Sequence, residues 1–157
     1  MTPMKLQKLL YFAQGWYLAI QDKPLFSETV EAWKYGPVVP TIYRELRKYG
    51  SKPIEGRAKD IREDFLDLDI SSEPLLYAPN VPSDDKDTRK FLEKIYDVYG
   101  KFTGSKLSAM SHVKGGPWHK TVAEYEPDIP LGLDISFTDL KAHFKNLAER
   151  QRSVLSQ

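Results

Sequence analysis

The chain has 157 residues, 41% of them hydrophobic and 29% charged, which is typical of one globular domain. Cysteine is absent, which excludes thiol catalysis, thiolate zinc sites and iron–sulfur clusters. Lysine and arginine total 23 against 22 for aspartate and glutamate, a formal charge of +1, so no overall field draws the protein onto nucleic acid or an anionic membrane. The apolar stretches are too short to span a membrane, and the N-terminus lacks the features of a signal peptide. We therefore expect residues 1–157 to form a single cytoplasmic domain.

The N-terminal segment predicts a helix that follows Thr2 and ends before Pro24. Thr2 is a suitable N-cap, and Pro3 occupies the first turn, where a missing N–H costs nothing. Apolar side chains then recur at steps of three and four residues, which indicates one buried face. They are Leu6, Leu9, Leu10, Ala13, Trp16, Tyr17 and Ile20.

Residues 29–33 alternate in polarity, which predicts a short strand. A rigid turn at Tyr35-Gly36-Pro37 is expected to end it, because Gly36 admits unusual backbone angles and Pro37 fixes φ. We expect this turn to place Trp33 and Tyr35 on opposite sides of the strand's end, so that one packs and the other anchors a partner.

Five more helices are predicted along the rest of the chain from capping residues and apolar spacing. They run from Pro40 to Gly50, from about Asp85 to Tyr99, from about Ser105 to His112, from Pro117 onward, and from Ser136 to about Ala148. The apolar face of the helix that begins at Pro117 is expected to include Tyr125. The polar residues after Ala148 are expected to fray. Gly115-Gly116 should fold the Pro117 helix back, which would bring Trp118 close to His112.

Less regular structure is expected between Ser51 and Ser83, a segment that contains four prolines. We expect a long ordered connection with a short helix near Ile61–Leu66 and a strand near Leu75–Tyr77. In the helix before it, four residues should face the core: Ile42, Tyr43, Leu46 and Tyr49. The predicted fold class is mainly α (α+β), a compact bundle of five to six helices with a small antiparallel β element.

The residues that usually carry enzyme chemistry do not form a recognisable site. His112, His119 and His143 lack the compact spacing of zinc ligands. Ser111 and His112 are adjacent, so on a helix their side chains point about 100° apart. No phosphate-binding glycine pattern is present. We therefore expect no catalytic residues, no metal and no cofactor.

Lysine and aromatic residues are interleaved in two places, a pattern found on surfaces that stack on nucleic acid. The first place comprises Lys5, Lys8 and Tyr11, and the second runs from Lys101 to Lys120. On a helix, however, lysines opposite an apolar stripe are usually its solvated face. Nucleic-acid binding is therefore disfavoured, although it stays open as an alternative.

Three motifs occur in order along the chain. They are Leu6-Gln7-Lys8-Leu9-Leu10-Tyr11-Phe12-Ala13-Gln14-Gly15; Glu31-Ala32-Trp33-Lys34-Tyr35-Gly36-Pro37-Val38-Val39-Pro40 with Tyr43; and Leu107-Ser108 followed by Ser111-His112 and Pro117-Trp118. Together they resemble the Panacea domain of SocA-like antitoxins, whose members are also known as phage-associated proteins. The resemblance extends from Thr2 to about Phe144, with Ser111 where the family usually has threonine.

The resemblance implies a cytoplasmic antitoxin that neutralises a partner protein toxin by binding it, and it implies no catalysis. It also raises the role of a protease adaptor that delivers the toxin to a Clp-type protease. The alternatives are a phage or prophage regulator that binds nucleic acid and, second, an uncharacterised hydrolase. Most motif residues are interpreted as structural: Leu9, Gly36, Pro37, Pro40, Tyr43, Ser111, His112, Pro117 and Trp118.

Four aromatic residues are the candidates for partner binding: Tyr11, Phe12, Trp33 and Tyr35. Many relatives carry a further helix before the first motif, so we expect apolar area around Tyr11, Phe12 and Trp16 to be exposed. We expect the toxin or a second copy of the chain, in a homodimer, to cover this area, and a rearranged C-terminal helix is the other candidate cover.

Overall fold

The computed structural model describes residues 1–55, 60–61, 76–77 and 81–155. Within these ranges the helices are α1 (Pro3–Gln21), α2 (Pro40–Leu46), α3 (Lys86–Tyr99), α4 (Gly104–Ser111), α5 (Pro117–Val122) and α6 (Phe137–Leu155), with a 3-10 turn at Arg47–Tyr49. Strand β1 (Glu31–Trp33) pairs antiparallel with β2 (Gly36–Val38), and β3 (Asp60–Ile61) pairs antiparallel with β4 (Leu76–Tyr77). The predicted mainly helical fold with a small antiparallel element is confirmed.

Helix α1 lies at the centre of the fold and packs against α6, α4, α3 and β2. Thr2 caps it as predicted, its hydroxyl accepting the Lys5 N–H at 3.4 Å. The core that forms around α1 contains apolar residues of β1, α3, α4, α5 and α6. Its fully buried members include Val30, Ala32, Leu107, Val122, Leu140 and Phe144.

The central position of α1 overturns the expectation for its aromatic residues. Tyr11 is 2% exposed and Phe12 is 5% exposed. Phe144 of α6 contacts the Tyr11 ring at 5.9 Å between centroids, and Tyr99 of α3 stacks on Phe12 at 4.4 Å. The prediction that these two rings form an exposed anchor is therefore wrong. Helices α3 and α6 cover these rings. A C-terminal helix was one of the three expected covers, and α6 takes that place.

The close approach of α1 and α6 depends on Gly15. A Cβ atom at this position would lie 2.1 Å from Cε2 of Phe144, inside the ring's van der Waals radius. The Phe144 side chain is fully buried and also meets Trp16 edge-on at 5.1 Å. Gly15 therefore provides the space into which the Phe144 side chain of α6 fits.

We expect Gly15→Ala to lower the free energy of unfolding by about 1–3 kcal/mol, because it overpacks this contact. Helix propensity alone predicts the opposite, a gain of roughly 1 kcal/mol. Urea denaturation distinguishes the two. In the double variant with Phe144→Leu, the losses should be less than additive, and a stabilised Gly15→Ala protein would contradict the packing argument.

The β1–β2 hairpin corrects the predicted turn. The residues between the strands are Lys34 and Tyr35, and Gly36 and Pro37 do not form the turn but begin β2. Gly36 has φ of +96°, a value that side chains other than glycine rarely adopt. A glycine–proline pair is uncommon in a strand, and here it is tolerated because the Pro37 nitrogen faces away from β1.

Other boundaries differ in places. Tyr43 was expected to face the core, but its side chain is 42% exposed. Ile61 lies in strand β3, so the short helix predicted near Ile61–Leu66 is wrong at Ile61. Positions 62–75 lie outside the described residues. Helix α6 continues beyond Ala148 to Leu155, because Glu, Arg and Gln are good helix formers even where nothing is buried. The predicted strand near Leu75–Tyr77 is confirmed at Leu76–Tyr77.

Candidate functional site

Both outer edges of the β1–β2 hairpin are hydrogen-bonded to other parts of the chain. In an antiparallel pair, alternate residues direct their N–H and C=O groups away from the other strand. On the β1 side, the Ala32 N–H donates to the Leu133 carbonyl and the Val30 carbonyl accepts from the Ile135 N–H, both at 2.8 Å. The segment before α6 therefore runs alongside β1 and fixes its position.

On the β2 side, side chains of α1 replace a neighbouring strand. The Gln7 amide accepts the Val39 N–H at 2.8 Å through Oε1 and donates to the Val39 carbonyl at 3.3 Å through Nε2. The Lys8 Nζ donates to the Pro37 carbonyl at 2.8 Å. Both side chains are buried. The first motif is thus attached to the second by three hydrogen bonds.

The third motif holds the turn. The Ser108 hydroxyl donates to the Tyr35 carbonyl and the Trp118 indole N–H donates to the Trp33 carbonyl, each at 2.9 Å. The Trp118 ring is buried against His112, with 3.9 Å between ring centroids. This confirms the predicted proximity of His112 and Trp118. The contact with His112 also fixes the Trp118 ring, so that its indole N–H can donate to the hairpin.

Gly36 lies where the three motifs meet. A Cβ atom there would be 2.8 Å from Cε1 of His112, 2.9 Å from Nζ of Lys8 and 3.0 Å from Oγ of Ser111. Only glycine fits this space, and only glycine readily adopts the backbone angle. The structural interpretation of Gly36, Ser111 and His112 agrees with this geometry.

We expect Gly36→Ala to destabilise the protein by about 2–4 kcal/mol, the sum of backbone strain and a clash with the His112 ring and the buried Lys8 side chain. Gly132→Ala is the matched control, because its φ is +83° but nothing lies within 4 Å of the added Cβ. The control should lose only about 1 kcal/mol in the same denaturation experiment. Equal losses in the two variants would show that the packing around Gly36 contributes nothing.

The hydrogen bonds of Ser111 and His112 do not support a nucleophile and base. The Ser111 hydroxyl donates to the Ser108 carbonyl at 2.7 Å, and His112 Nδ1 lies 2.5 Å from the same oxygen. A carbonyl only accepts, so Nδ1 carries a hydrogen and cannot take the proton of Ser111. The two side chains therefore fix the end of α4. Within the described ranges, no group of three or more histidine and acidic residues is placed to hold a metal ion.

Lys8 is the unusual titratable group of the site. Its side chain is 2% exposed, and burial lowers the pKa of its amine from 10.5 to about 7. Below pH 7 the amine is protonated in both the folded and the unfolded chain, and the cost of burying its charge is greatest. Between pH 7 and 10.5 the unfolded chain binds the additional proton, so deprotonation inside the fold relieves this cost.

The Lys8 contribution to the free energy of unfolding should therefore rise with pH, by up to about 1.4 kcal/mol per pH unit. Lys8→Met removes the titration and keeps every other titrating group. We expect the stability of the wild type relative to Lys8→Met to increase between about pH 7 and pH 9, measured by urea denaturation at each pH. A difference that does not change with pH would contradict the pKa shift.

A surface cavity of about 410 Å³ opens beside this hairpin, and we call it the hairpin cavity. Its wall is mostly apolar, and it includes four large residues that are well exposed: Met4, Tyr35, Tyr43 and Leu131. Tyr35 in the turn is 70% exposed, whereas Trp33 is half-buried and contacts the Tyr43 ring at 4.7 Å. Trp33 and Tyr35 border the same cavity, so the prediction of opposite sides is wrong.

Burial also removes the first basic and aromatic cluster as a surface for nucleic acid. Lys8 and Tyr11 are inside the core, and the Lys5 amine donates to the Gly100 carbonyl at 2.5 Å. In the second cluster, the Trp118 ring is buried as well.

Among the described helices, none has both the length and the apolar content to cross a bilayer.

Residues that sequence reasoning missed are Gln7 and Lys8. The apolar spacing of α1 predicts a solvated position for Lys8 and assigns no role to Gln7, but both side chains are buried and hold the hairpin. The available signal is that Lys5 and Lys8 are the only charged residues of α1, too few for a helix with a solvated face along its whole length.

Comparisons with known proteins agree with the three motifs. Residues 6–119 match the family model for the SocA-like antitoxin, Panacea domain. The chain is 36% identical over 142 residues to Antitoxin SocA of Caulobacter vibrioides (strain NA1000 / CB15N), a match that covers 90% of this chain and 71% of that protein. No solved structure matches the chain.

Proposed function

The chain belongs to the SocA-like antitoxin family with the Panacea domain, and from this premise we propose that it neutralises a protein toxin by binding it directly. The observation that carries the proposal is the hairpin cavity. Exposed aromatic and aliphatic side chains surround it, and the hairpin behind it is held by buried hydrogen bonds from the other two motifs.

This arrangement has the properties of a protein-binding centre. Large aromatic residues contribute much contact area and lose little conformational freedom, and they dominate the energy of many interfaces. Tyr35 lies at the tip of a turn whose backbone cannot shift without breaking bonds from Ser108 and Trp118. A rigid apolar surface loses less entropy on binding than a flexible one. The proposed mechanism is steric, since a toxin bound here has part of its surface covered.

The structure gives less support to the other functions. The hydrogen bonds of Ser111 and His112 are those of a helix end. Two of the three residues in the first basic and aromatic cluster are buried. Delivery to a Clp-type protease would require a surface for the protease besides the one for the toxin, and no described feature favours one.

The proposal is tested by expressing each flanking open reading frame alone and together with this protein. We expect one product to arrest growth, this protein to relieve the arrest, and the two proteins to copurify. If no flanking product arrests growth, or if the arrest persists without a complex, the proposed function is wrong.

In the purified complex, we expect Tyr35→Ala to weaken binding at least tenfold, as for a central aromatic anchor. The stability of the free protein should stay within about 0.5 kcal/mol of the wild type, as at other surface positions, because the turn is bonded through the Tyr35 carbonyl and not through its ring. Tyr96→Ala on α3 is the matched control, a ring that is 53% exposed and lies outside the cavity. Equal effects of the two substitutions, measured by titration calorimetry, would place the interface elsewhere.

A further inference from the structure

A second cavity lies along the C-terminal half of α1 and reaches the aromatic core. It has a volume of about 540 Å³, and α1, the ends of α3 and α4, the loop at 113–115 and α6 line it; we call it the α6 cavity. Its floor includes the buried Phe12 and Tyr99 rings and the half-buried Trp16. The Trp16 indole N–H donates to the Tyr99 hydroxyl at 2.7 Å. The floor is therefore an aromatic surface that is held in place.

Cationic side chains border the same space. His143, Leu147 and Arg150 follow one another at steps of four and three residues, which places them on one face of α6, and all three line the cavity. Lys114, in the loop after α4, lines it as well. Lys114 and Arg150 are exposed, so their charged groups are accessible to a molecule that enters from solvent.

These cationic side chains have no ion-pair partner among the described residues. None of the described residues that line the cavity is acidic, and neither Lys114 nor Arg150 pairs with a described carboxylate. Asp139, one turn before His143 on α6, pairs instead with Lys120 at 3.5 Å and does not line the cavity. An incoming molecule therefore meets positive charge above an aromatic floor, with no competing acid in the wall.

The state of His143 reflects the positive charge around it. Burial holds the pKa of its imidazole below the ordinary value, and the charges of Lys120 and Arg150 lower the pKa further. An opposite charge nearby favours the protonated form of an imidazole. An anion in the cavity would therefore raise this pKa, and His143 can report its arrival.

We propose that the α6 cavity binds a small organic anion with a flat apolar body, such as an aromatic carboxylate. The flat body packs on Trp16 and against Leu147, since aromatic rings stack well on one another, and the acidic group faces Lys114 and Arg150.

The shape of the cavity favours a free small molecule over a segment of a partner protein. Small-molecule sites are concave, mostly apolar, and carry a few polar groups that fix orientation. The α6 cavity has these properties, and its floor consists of core residues. It shares no lining residue with the hairpin cavity, so the proposal does not depend on the proposed function.

The test uses indole-3-acetate as the probe, with indole-3-acetamide as its uncharged match and acetate as the anion without a ring. In protein labelled at the methionine methyl groups, Met110 lines the α6 cavity and reports binding, whereas Met4 lines the hairpin cavity and is the internal reference. At low salt we expect the acid to bind roughly tenfold more tightly than the amide, as for a charge-assisted hydrogen bond. Acetate should bind more weakly than the acid, because it buries no apolar surface.

Three results of this comparison would overturn the proposal. Equal affinities of acid and amide would show that the positive charge plays no part. Equal affinities of acid and acetate would show that the aromatic floor plays no part. No shift of the Met110 signal with any probe would show that the cavity is not a binding site.

Variants at exposed positions assign the preference to the cationic side chains. The double variant Lys114→Gln/Arg150→Gln should bind acid and amide equally. Lys106→Gln is the matched control, because it removes an exposed charge of α4 that does not line the cavity, and it should keep the preference. All three positions are exposed, so the variants should unfold at the same urea concentration as the wild type. A preference that survives the double substitution would contradict the assignment.

The imidazole of His143 provides a measurement that needs no variant. Its pKa, followed by NMR of the ring protons, should rise when the acid binds and stay unchanged with the amide. An unchanged pKa in the presence of bound acid would place the acidic group away from α6 and contradict the proposed orientation.

The toxin complex distinguishes a free molecule from a segment of the partner. The shift of the Met110 signal by indole-3-acetate should persist when neutralised toxin is bound, because the two cavities share no residue. Displacement of the probe by toxin would show that the α6 cavity takes part of the toxin, and the proposal of a free molecule would be wrong. Because acid and amide are compared without toxin, failure of that comparison and failure of neutralisation are independent results.

Discussion

The structure depends on a central helix that provides hydrogen bonds to other parts of the chain. Helix α1 is buried on most sides, and three of its buried side chains, Gln7, Lys8 and Gln14, are polar. Each binds backbone groups: Gln7 and Lys8 those of the hairpin, and Gln14 those of Leu25 and Phe26 in the loop after the helix. Removing any of them would leave a buried group without a partner, which is costly. The aromatic residues of α1 fill the core, while its polar residues fix the segments around that core.

The sequence predicted the helices that are buried on one side only. For the central helix α1 it predicted the bounds, but not which of its residues are buried. Capping by Thr2 and the stripe of α3 are local signals, and the structure has helices at both places. Periodicity assigns one face of a helix to the core and the other to water, so it placed Lys8 and Tyr11 outside. A helix enclosed by α3, α4 and α6 has no such outer face over most of its length. That enclosure is a tertiary property, which spacing within α1 cannot report.

The site was predictable in its residues but not in its assembly. The three motifs contain Gly36, Ser111, His112 and Trp118, which the sequence predicted to have structural roles. Their meeting depends on contacts between residues 29 to 85 positions apart in the chain, and no local pattern encodes these. The strand at Gly36–Val38 was missed for the same reason: its sequence favours a turn, and it is a strand because β1 and the side chains of α1 satisfy its backbone. The hairpin cavity is a product of that assembly, since α1, β1, α2 and the segment near Leu131 all contribute to its wall.

The cover over both edges of the hairpin determines how another protein can recognise it. A strand with free backbone groups is a template for any extended peptide, including another copy of the same chain, and proteins protect such edges. Here the segment at 133–135 occupies one edge. At the other edge Gln7 and Lys8 occupy the groups of Val39 and Pro37, and proline has no N–H to offer. Extension of this sheet by β-augmentation is therefore closed. A partner must be recognised through side chains, and the free protein has no open strand edge on this hairpin from which aggregation could begin.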